Sequence, residues 1–200
     1  MALRNTHPIS LEIIQKEHEH LSVILQSMLY FVRSIKNGND NLDLKLFRSM
    51  LYYITEFPER VHHPKEEKLL FAKIKERTHQ LDTELDALSE QHSKGELLVH
   101  RLQDALLSCE FGGMDSFHHF HALVEQYAHF YFTHMRTEEE RIFPIAKLVL
   151  NDADWKIVDA SFMQNQKEMD ETGQRYSYAQ LFAQISSFTP TFDEEPVAKK

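Results

Sequence analysis

One motif of a histidine followed by two glutamates occurs twice in this chain, once in each half. The first copy covers residues 62–71, His-His-Pro-Lys-Glu-Glu-Lys-Leu-Leu-Phe, and the second covers residues 134–143, His-Met-Arg-Thr-Glu-Glu-Glu-Arg-Ile-Phe. In each copy a histidine precedes a glutamate by four residues, and such positions share one face of a helix. Each copy can therefore direct an imidazole nitrogen and a carboxylate toward one point.

Apolar residues recur at steps of three and four residues along four segments, which is typical of helices that pack in a bundle. The predicted helices run from Ser10, as N-cap, to about Asn37, then over about 42–77, 81–107 and 116–148. Turn-forming residues separate them at 37–41 and 110–116. Pro58 and Pro64 are expected to distort the second helix.

The predicted fold class is therefore all-α, an antiparallel up-down four-helix bundle over residues 1–150. A shorter amphipathic segment follows, with Trp155, Val158 and Phe162 on one side. Residues 151–188 are predicted to form a C-terminal helical extension that packs on the bundle. Residues 189–200 have the composition of a disordered tail.

Composition and charge exclude several classes of function. A formal net charge of −9 disfavours nucleic acid as a partner, because nucleic-acid binding needs a basic patch. The sequence contains no apolar segment of membrane-spanning length and no apolar signal region, so we expect a cytoplasmic protein with no membrane partner. The lone Cys109 cannot form an intramolecular disulfide.

Each half of the chain pairs a helix that carries one in-phase histidine with a helix that carries the repeated motif. Two such hairpins facing each other would bring together six candidate metal ligands, which are His18, His62, Glu66, His92, His134 and Glu138. Six donors exceed the needs of one tetrahedral zinc ion. Imidazole mixed with carboxylate suits iron or manganese better than calcium or magnesium. Carboxylates can bridge two ions, and open positions would remain for a diatomic ligand.

These motifs resemble those of the hemerythrin-like proteins, the HHE cation-binding domain family, over about residues 7–148. The resemblance rests on four segments that contain the candidate ligands: residues 17–21, 62–71, 91–95 and 134–144. It implies a non-haem di-iron centre, with four terminal histidines, bridging Glu66 and Glu138, and an oxo or hydroxo bridge between two iron ions. It also implies oxygen or nitric oxide as the bound partner.

The chain departs from the oxygen carriers of this family at two positions. The carriers have a fifth histidine one turn before the ligand on the third helix, where this chain has Leu88. They also have an aspartate five residues after the last histidine, whereas Glu138 follows His134 by four. The four-histidine branch, with its iron-sulfur repair proteins and bacterial sensors, is the better match. The repair proteins have an additional cysteine-bearing N-terminal domain, which this sequence does not contain.

Other residues compete for these roles. His20 is the alternative to His18, and His63 with Glu67 is the alternative register to His62 with Glu66. A ferritin-like oxidase needs Glu-x-x-His on two helices, and here that spacing occurs at Glu17, Glu59 and Glu76 without a shared helical phase. Glu67 and Glu139 are interpreted mainly as exposed charges, although such acids can orient metal ligands. We interpret His118, His119, His121 and His129 as surface residues or as residues behind the ligands. Tyr127 and Tyr131 are interpreted as core aromatics, with a hydroxyl that reaches the site as the alternative.

The sequence therefore predicts a di-iron protein that binds oxygen or nitric oxide and acts in sensing or in iron and redox stress handling. One alternative is an enzyme that reduces nitric oxide or peroxide at the same centre. A second alternative is a metal-free bundle with a structural or interaction role. A homodimer, or a separate redox partner, is compatible with each of these functions.

Overall fold

A computed structural model describes residues 8–188, which contain helices and no strand. Residues 1–7 and the predicted disordered tail at 189–200 lie outside the described residues. Five helical units follow one another, and two of them contain π-helical stretches. They are α1 (Ile9–Lys36); α2 (residues 44–77, π-helical at Thr55–His62 and Glu66–Phe71); α3 (residues 82–149, π-helical at Glu138–Ile142); α4 (Asp152–Glu171); and α5 (Gln174–Phe188).

Helix α3 reverses direction, although its residues Asp82–Thr137 are helical without a break. One straight helix would separate His92 from His134 by about 63 Å, at 1.5 Å per residue. Instead, their Nε2 atoms are 3.1 Å apart. The contacts of His92 with His134 and of Gly95 with Tyr131 are both centred on residue 113, so the reversal lies near Gly112. We call residues 82–111 the outgoing arm of α3 and residues 114–149 its return arm.

The predicted all-α bundle is confirmed, and its four long elements are α1, α2 and the two arms of α3. The boundary between the third and fourth helices was predicted too wide, because the chain stays helical through the turn. The predicted N-cap at Ser10 is wrong, since α1 begins at Ile9. The backbone N–H and the hydroxyl of Ser10 instead donate to the Asp159 carboxylate of α4 at 2.8 and 2.6 Å.

Two apolar clusters fill the bundle, and each long element contributes to both. One cluster contains Leu11, Ile14, Leu85, Leu88 and Ile142 among its buried residues. The other contains Leu21, Ile24, Val99, Tyr127 and Tyr131. Between these residues, each element carries buried histidine or glutamate side chains. The fold therefore places one polar layer between two apolar cores.

Helices α4 and α5 pack against the bundle through both clusters. Trp155, Val158 and Phe162 of α4 join the cluster around Leu11, and Ile185 of α5 joins the cluster around Leu21. A bidentate ion pair between Arg77 and the buried carboxylate of Asp154 also joins α2 to α4, with both N···O distances at 2.8 Å.

The division into a bundle at 1–150 and an extension at 151–188 stays a prediction. No helix among residues 8–188 is long and apolar enough to span a membrane.

The contact between α4 and the bundle can be tested at Phe162, which is 1% exposed. Phe162→Ala should lower the free energy of unfolding by about 3–5 kcal/mol, because it removes a large buried side chain and leaves a cavity. The neighbouring Met163 is 50% exposed, so Met163→Ala should change it by no more than about 0.5 kcal/mol. Urea unfolding measures both values. If Phe162→Ala lowered the free energy of unfolding as little as Met163→Ala does, the packing of α4 against the core would be contradicted.

Candidate metal centre

The six candidate ligands lie together in the polar layer between the two apolar clusters. Helix α1 provides one histidine, α2 a histidine and a glutamate, the outgoing arm one histidine, and the return arm a histidine and a glutamate. Each of the six is at most 5% exposed to solvent. They are His18, His62, Glu66, His92, His134 and Glu138.

The four imidazoles form two pairs. The ring centroids of His18 and His62 are 5.1 Å apart, and those of His92 and His134 are 4.8 Å apart. The Nε2 atoms of the second pair are separated by 3.1 Å. Two nitrogens bound at right angles to one ion, each at about 2.1 Å, would be about 3.0 Å apart. The His92 and His134 pair therefore fits a single metal ion.

The two carboxylates lie between the imidazole pairs. One oxygen of Glu66, Oε2, is 3.3 Å from Nε2 of His62 and 3.7 Å from Nε2 of His92. Glu138 instead directs one oxygen to each pair, since Oε2 is 3.3 Å from Nε2 of His18 and Oε1 is 3.5 Å from Nε2 of His134. Each carboxylate thus faces both pairs, as a group that bridges two ions must.

The second ring nitrogen of each histidine is held by an acceptor from another element. Nδ1 of His18 bonds Glu139 at 2.8 Å and Nδ1 of His62 bonds Glu17 at 2.7 Å. The other two contacts join His92 to Glu67 at 2.8 Å and His134 to Gln91 at 3.0 Å. Such contacts fix the ring and direct Nε2 into the centre.

These acceptors follow a simple rule along the chain. Glu17, Glu67, Gln91 and Glu139 each adjoin one of the six residues in sequence, and each bonds a histidine from a different element. Sequence reasoning missed Glu17 and Gln91, because neither lies on an apolar stripe. Their position beside a candidate ligand was the available signal. Glu67 and Glu139, interpreted mainly as exposed charges, are partly exposed and also orient rings.

Several polar atoms in this layer are buried without a hydrogen-bond partner. Within the described residues they include Nε2 of His18 and all four carboxylate oxygens of Glu66 and Glu138. Burying an unpaired carboxylate is costly, so native proteins pair such groups or bind a cation with them. The donors also form two groups with ligand atoms within 4.8 Å of one another: His18, His62 and Glu66; and Glu66, His92, His134 and Glu138. The layer therefore fits a metal site.

Burial and neighbouring charged groups shift the pKa values of these side chains strongly. Burial alone lowers the pKa of His18, but the adjacent carboxylates of Glu138 and Glu139 outweigh it and raise the pKa from 6.5 to about 9. Burial lowers the pKa of His134 to about 4. Burial and the nearby Glu138 raise the pKa of Glu66 well above its usual value. Burial opposes ionisation of Glu138, but His134 and His18 outweigh it and lower the pKa to about 2.

Two of the three π-helical stretches in the described residues begin at the motif glutamates. Glu66 and Glu138 are the first residues of two such stretches, and His62 is the last residue of a third that contains Pro58. A proline inside a helix removes one backbone donor, and a wider helical turn accommodates that loss. The predicted distortion at Pro58 thus takes the form of a π-helical segment. The His62 and Glu66 side chains nevertheless meet.

The competing histidines lie elsewhere, with one exception. His20 is half-buried and its ring lies 4.4 Å from that of Phe182. His118, His119 and His129 are exposed, while His121 is buried and stacks on Phe117. His63, which was considered with Glu67 as the alternative register, is 3% exposed and lies beside the centre.

A buried phenol and carboxyl group lie next to the centre. The Tyr131 hydroxyl donates to Oε1 of Glu59 at 2.5 Å, and the Tyr131 ring lies 5.6 Å from that of His134. Gly95 makes this possible, because a Cβ atom there would lie 2.0 Å from the Tyr131 hydroxyl. Burial raises the pKa of Glu59 from 4.5 to about 7, although the bond from Tyr131 opposes that shift.

A surface groove of about 740 Å³ borders one side of the layer. It runs between α1 and the return arm, and His18 and Glu139 are among the residues that line it. Of the six candidate ligands, His18 is the one that lines this groove.

The fold and the site define a helical bundle with a buried histidine and glutamate cluster that fits metal. The sequence matches the hemerythrin HHE cation-binding domain over residues 10–146, and the chain belongs to this family. The matched residues include all six candidate ligands. A search of curated proteins gives no match.

The orienting contacts predict a specific effect on metal affinity. Glu17→Ala and Glu67→Ala should each weaken iron(II) binding about 10–100-fold, because an imidazole loses the partner that fixes its orientation. Anaerobic competition with a chelator measures this affinity. The exposed Glu12 of α1 provides a control, and Glu12→Ala should bind iron like the wild type. Unchanged affinity in both test variants would contradict an orienting role.

The metal-free protein should show an unusual histidine titration. The His18 imidazole should titrate near pH 9 by NMR, and Glu139→Gln should lower that pKa because one charged partner becomes neutral. The folded pKa exceeds the unfolded value of 6.5, so this contact stabilises the protein fully below pH 6.5. That contribution is lost as the pH rises through about 9. A wild-type pKa near 6.5 would contradict the assigned contacts.

Proposed function

We propose that this protein is a non-haem di-iron protein that binds oxygen or nitric oxide and acts in sensing or in iron and redox stress handling. His18, His62, His92 and His134 would be the terminal ligands, and Glu66 and Glu138 would bridge the ions. The observation that carries this proposal is the set of buried, unpartnered atoms on His18, Glu66 and Glu138. Two cations, one held by each imidazole pair, would provide partners for these atoms.

The chemistry of the donors supports iron. Calcium and magnesium prefer shells made of oxygen atoms, and structural zinc sites use four donors. Four imidazoles with two carboxylates suit ions that accept nitrogen and oxygen together, as iron does. Membership of the HHE cation-binding family agrees with this donor set.

The number of donors supports binding of a small ligand. Two histidines and two shared carboxylates would give each ion four protein donors, which is fewer than the six of an octahedral shell. The open positions would accept oxygen or nitric oxide when the iron is reduced. A groove open to solvent borders His18, on the side of one imidazole pair.

Gas binding can be tested on protein loaded anaerobically with iron(II). Addition of oxygen or of nitric oxide should produce new visible absorption bands that saturate at one gas molecule for each pair of ions. Glu138→Gln should abolish the bands, because it removes the charge of a proposed bridge. His121→Ala changes a buried histidine outside the site and should leave the bands unchanged. A di-iron protein that responds to neither gas would contradict the proposal.

A metal-free structural role is disfavoured by the same buried atoms. Without a cation, Glu66 and Glu138 would place four carboxylate oxygens in the core without hydrogen bonds. An unpaired buried polar group costs about 1–3 kcal/mol, and a charged one costs more. A bundle selected only for stability would be expected to have apolar side chains at these positions.

A reductive enzyme is the second candidate, and Glu59 is the observation that favours it. Reduction of peroxide or nitric oxide consumes protons, and a buried carboxyl group with a pKa of about 7 can supply them near neutral pH. Product measured with excess chemical reductant distinguishes this function. Many turnovers per centre would support an enzyme, whereas product limited to one turnover would support a binding protein.

A further inference from the structure

His63 is a fifth imidazole at the edge of the centre. It lies on α2 between His62 and Glu66, is 3% exposed, and faces the second imidazole pair. Its ring lies 4.1 Å from the ring of His92 and 5.7 Å from the ring of His134. A nitrogen of His63 lies within 4.8 Å of a nitrogen of each of these two histidines. The distances place it within reach of an ion held by that pair.

His63, like the four other histidines, has an acceptor at Nδ1. This nitrogen lies 3.2 Å from the carboxylate oxygen Oε2 of Glu59, which precedes His63 by one turn on the same helix. The acceptors of the other four histidines come from other elements, so the histidines share the nitrogen that is held but not the source of its acceptor. Since Nδ1 is engaged, Nε2 is the nitrogen that remains available to a metal ion.

We propose that His63 is an additional ligand of the ion held by His92 and His134, and that Glu59 positions it. This inference rests on the proposed di-iron function and extends it. One ion would have three imidazole donors and the other two. The ion held by His18 and His62 would keep more open positions.

The surroundings of Glu59 support a positioning role. One carboxylate oxygen accepts from the Tyr131 hydroxyl at 2.5 Å, and the other contacts His63. The Tyr131 ring is also stacked on the His63 ring, with centroids 5.7 Å apart and planes within 7°. Gly95 leaves room for the Tyr131 hydroxyl. These contacts restrict the rotation of the His63 imidazole.

Packing alone could also explain a buried, stacked histidine, and His63→Phe distinguishes the two roles. Phenylalanine keeps a flat ring but has no nitrogen to bind metal. Anaerobic chelator competition with iron(II) should show two ions in the wild type. In His63→Phe, affinity for one ion should fall about 100-fold or more, while affinity for the other stays unchanged. His121→Phe, a change at a buried histidine outside the site, should bind like the wild type.

Two further measurements test the roles of the nitrogen and of Glu59. Free imidazole should restore binding of the ion held by His92 and His134 to His63→Gly. This rescue tests the role of the nitrogen even if phenylalanine does not fit at position 63.

Glu59→Ala should weaken the affinity for that same ion about 10–100-fold. Glu59→Gln keeps an acceptor oxygen and should recover most of the affinity. In the His63→Phe background, Glu59→Ala should have no additional effect on metal affinity.

The outcomes separate this inference from the proposed function. Two ions in the wild type and unchanged affinity for both in His63→Phe would overturn the role of His63 and leave the di-iron proposal standing. No bound iron in the wild type would overturn both. Weakening of one ion in His63→Phe, with rescue of His63→Gly by imidazole, would support the assignment.

Discussion

The burial of unpaired histidine and glutamate donors is the constraint on which the rest of this structure depends. Glu66 and Glu138 are fully buried, and none of their four oxygens has a hydrogen-bond partner. Such an arrangement is unfavourable by itself, because desolvated carboxylates need compensating charge. Protonation of Glu66 and of His18 can relieve part of this cost in the metal-free protein. Two metal ions would relieve it more completely and would join all four bundle elements.

The layer around these donors depends on pairs of adjacent residues. A ligand candidate such as His18 faces the centre, while its neighbour Glu17 reaches a histidine of another helix. Each long element thus supplies a donor and also orients a donor elsewhere. A shift of one helix would disturb two imidazoles together. The geometry of the site and the packing of the bundle are therefore mutually dependent.

The sequence was sufficient for the bundle and for the six residues that meet in its centre, because both follow from helical spacing. The apolar stripe of α1 favoured His18 over His20, and alignment of the two motif copies favoured His62 over His63. Spacing could not reveal that His63 is buried, since this depends on Glu59, Gly95 and Tyr131 from three elements. The predicted N-cap at Ser10 was wrong for a similar reason. The Ser10 hydroxyl does not accept a local backbone N–H but donates to Asp159, which is distant in sequence.

The most direct test of this account is the iron content of each chain, measured by native mass spectrometry on protein prepared without a histidine tag. The wild type should bind two irons. Glu66→Gln should weaken both ions together, because its carboxylate faces both imidazole pairs. His62→Ala should mainly weaken one ion. A wild type with a single ion, or with none after anaerobic loading with iron(II), would contradict the central claim.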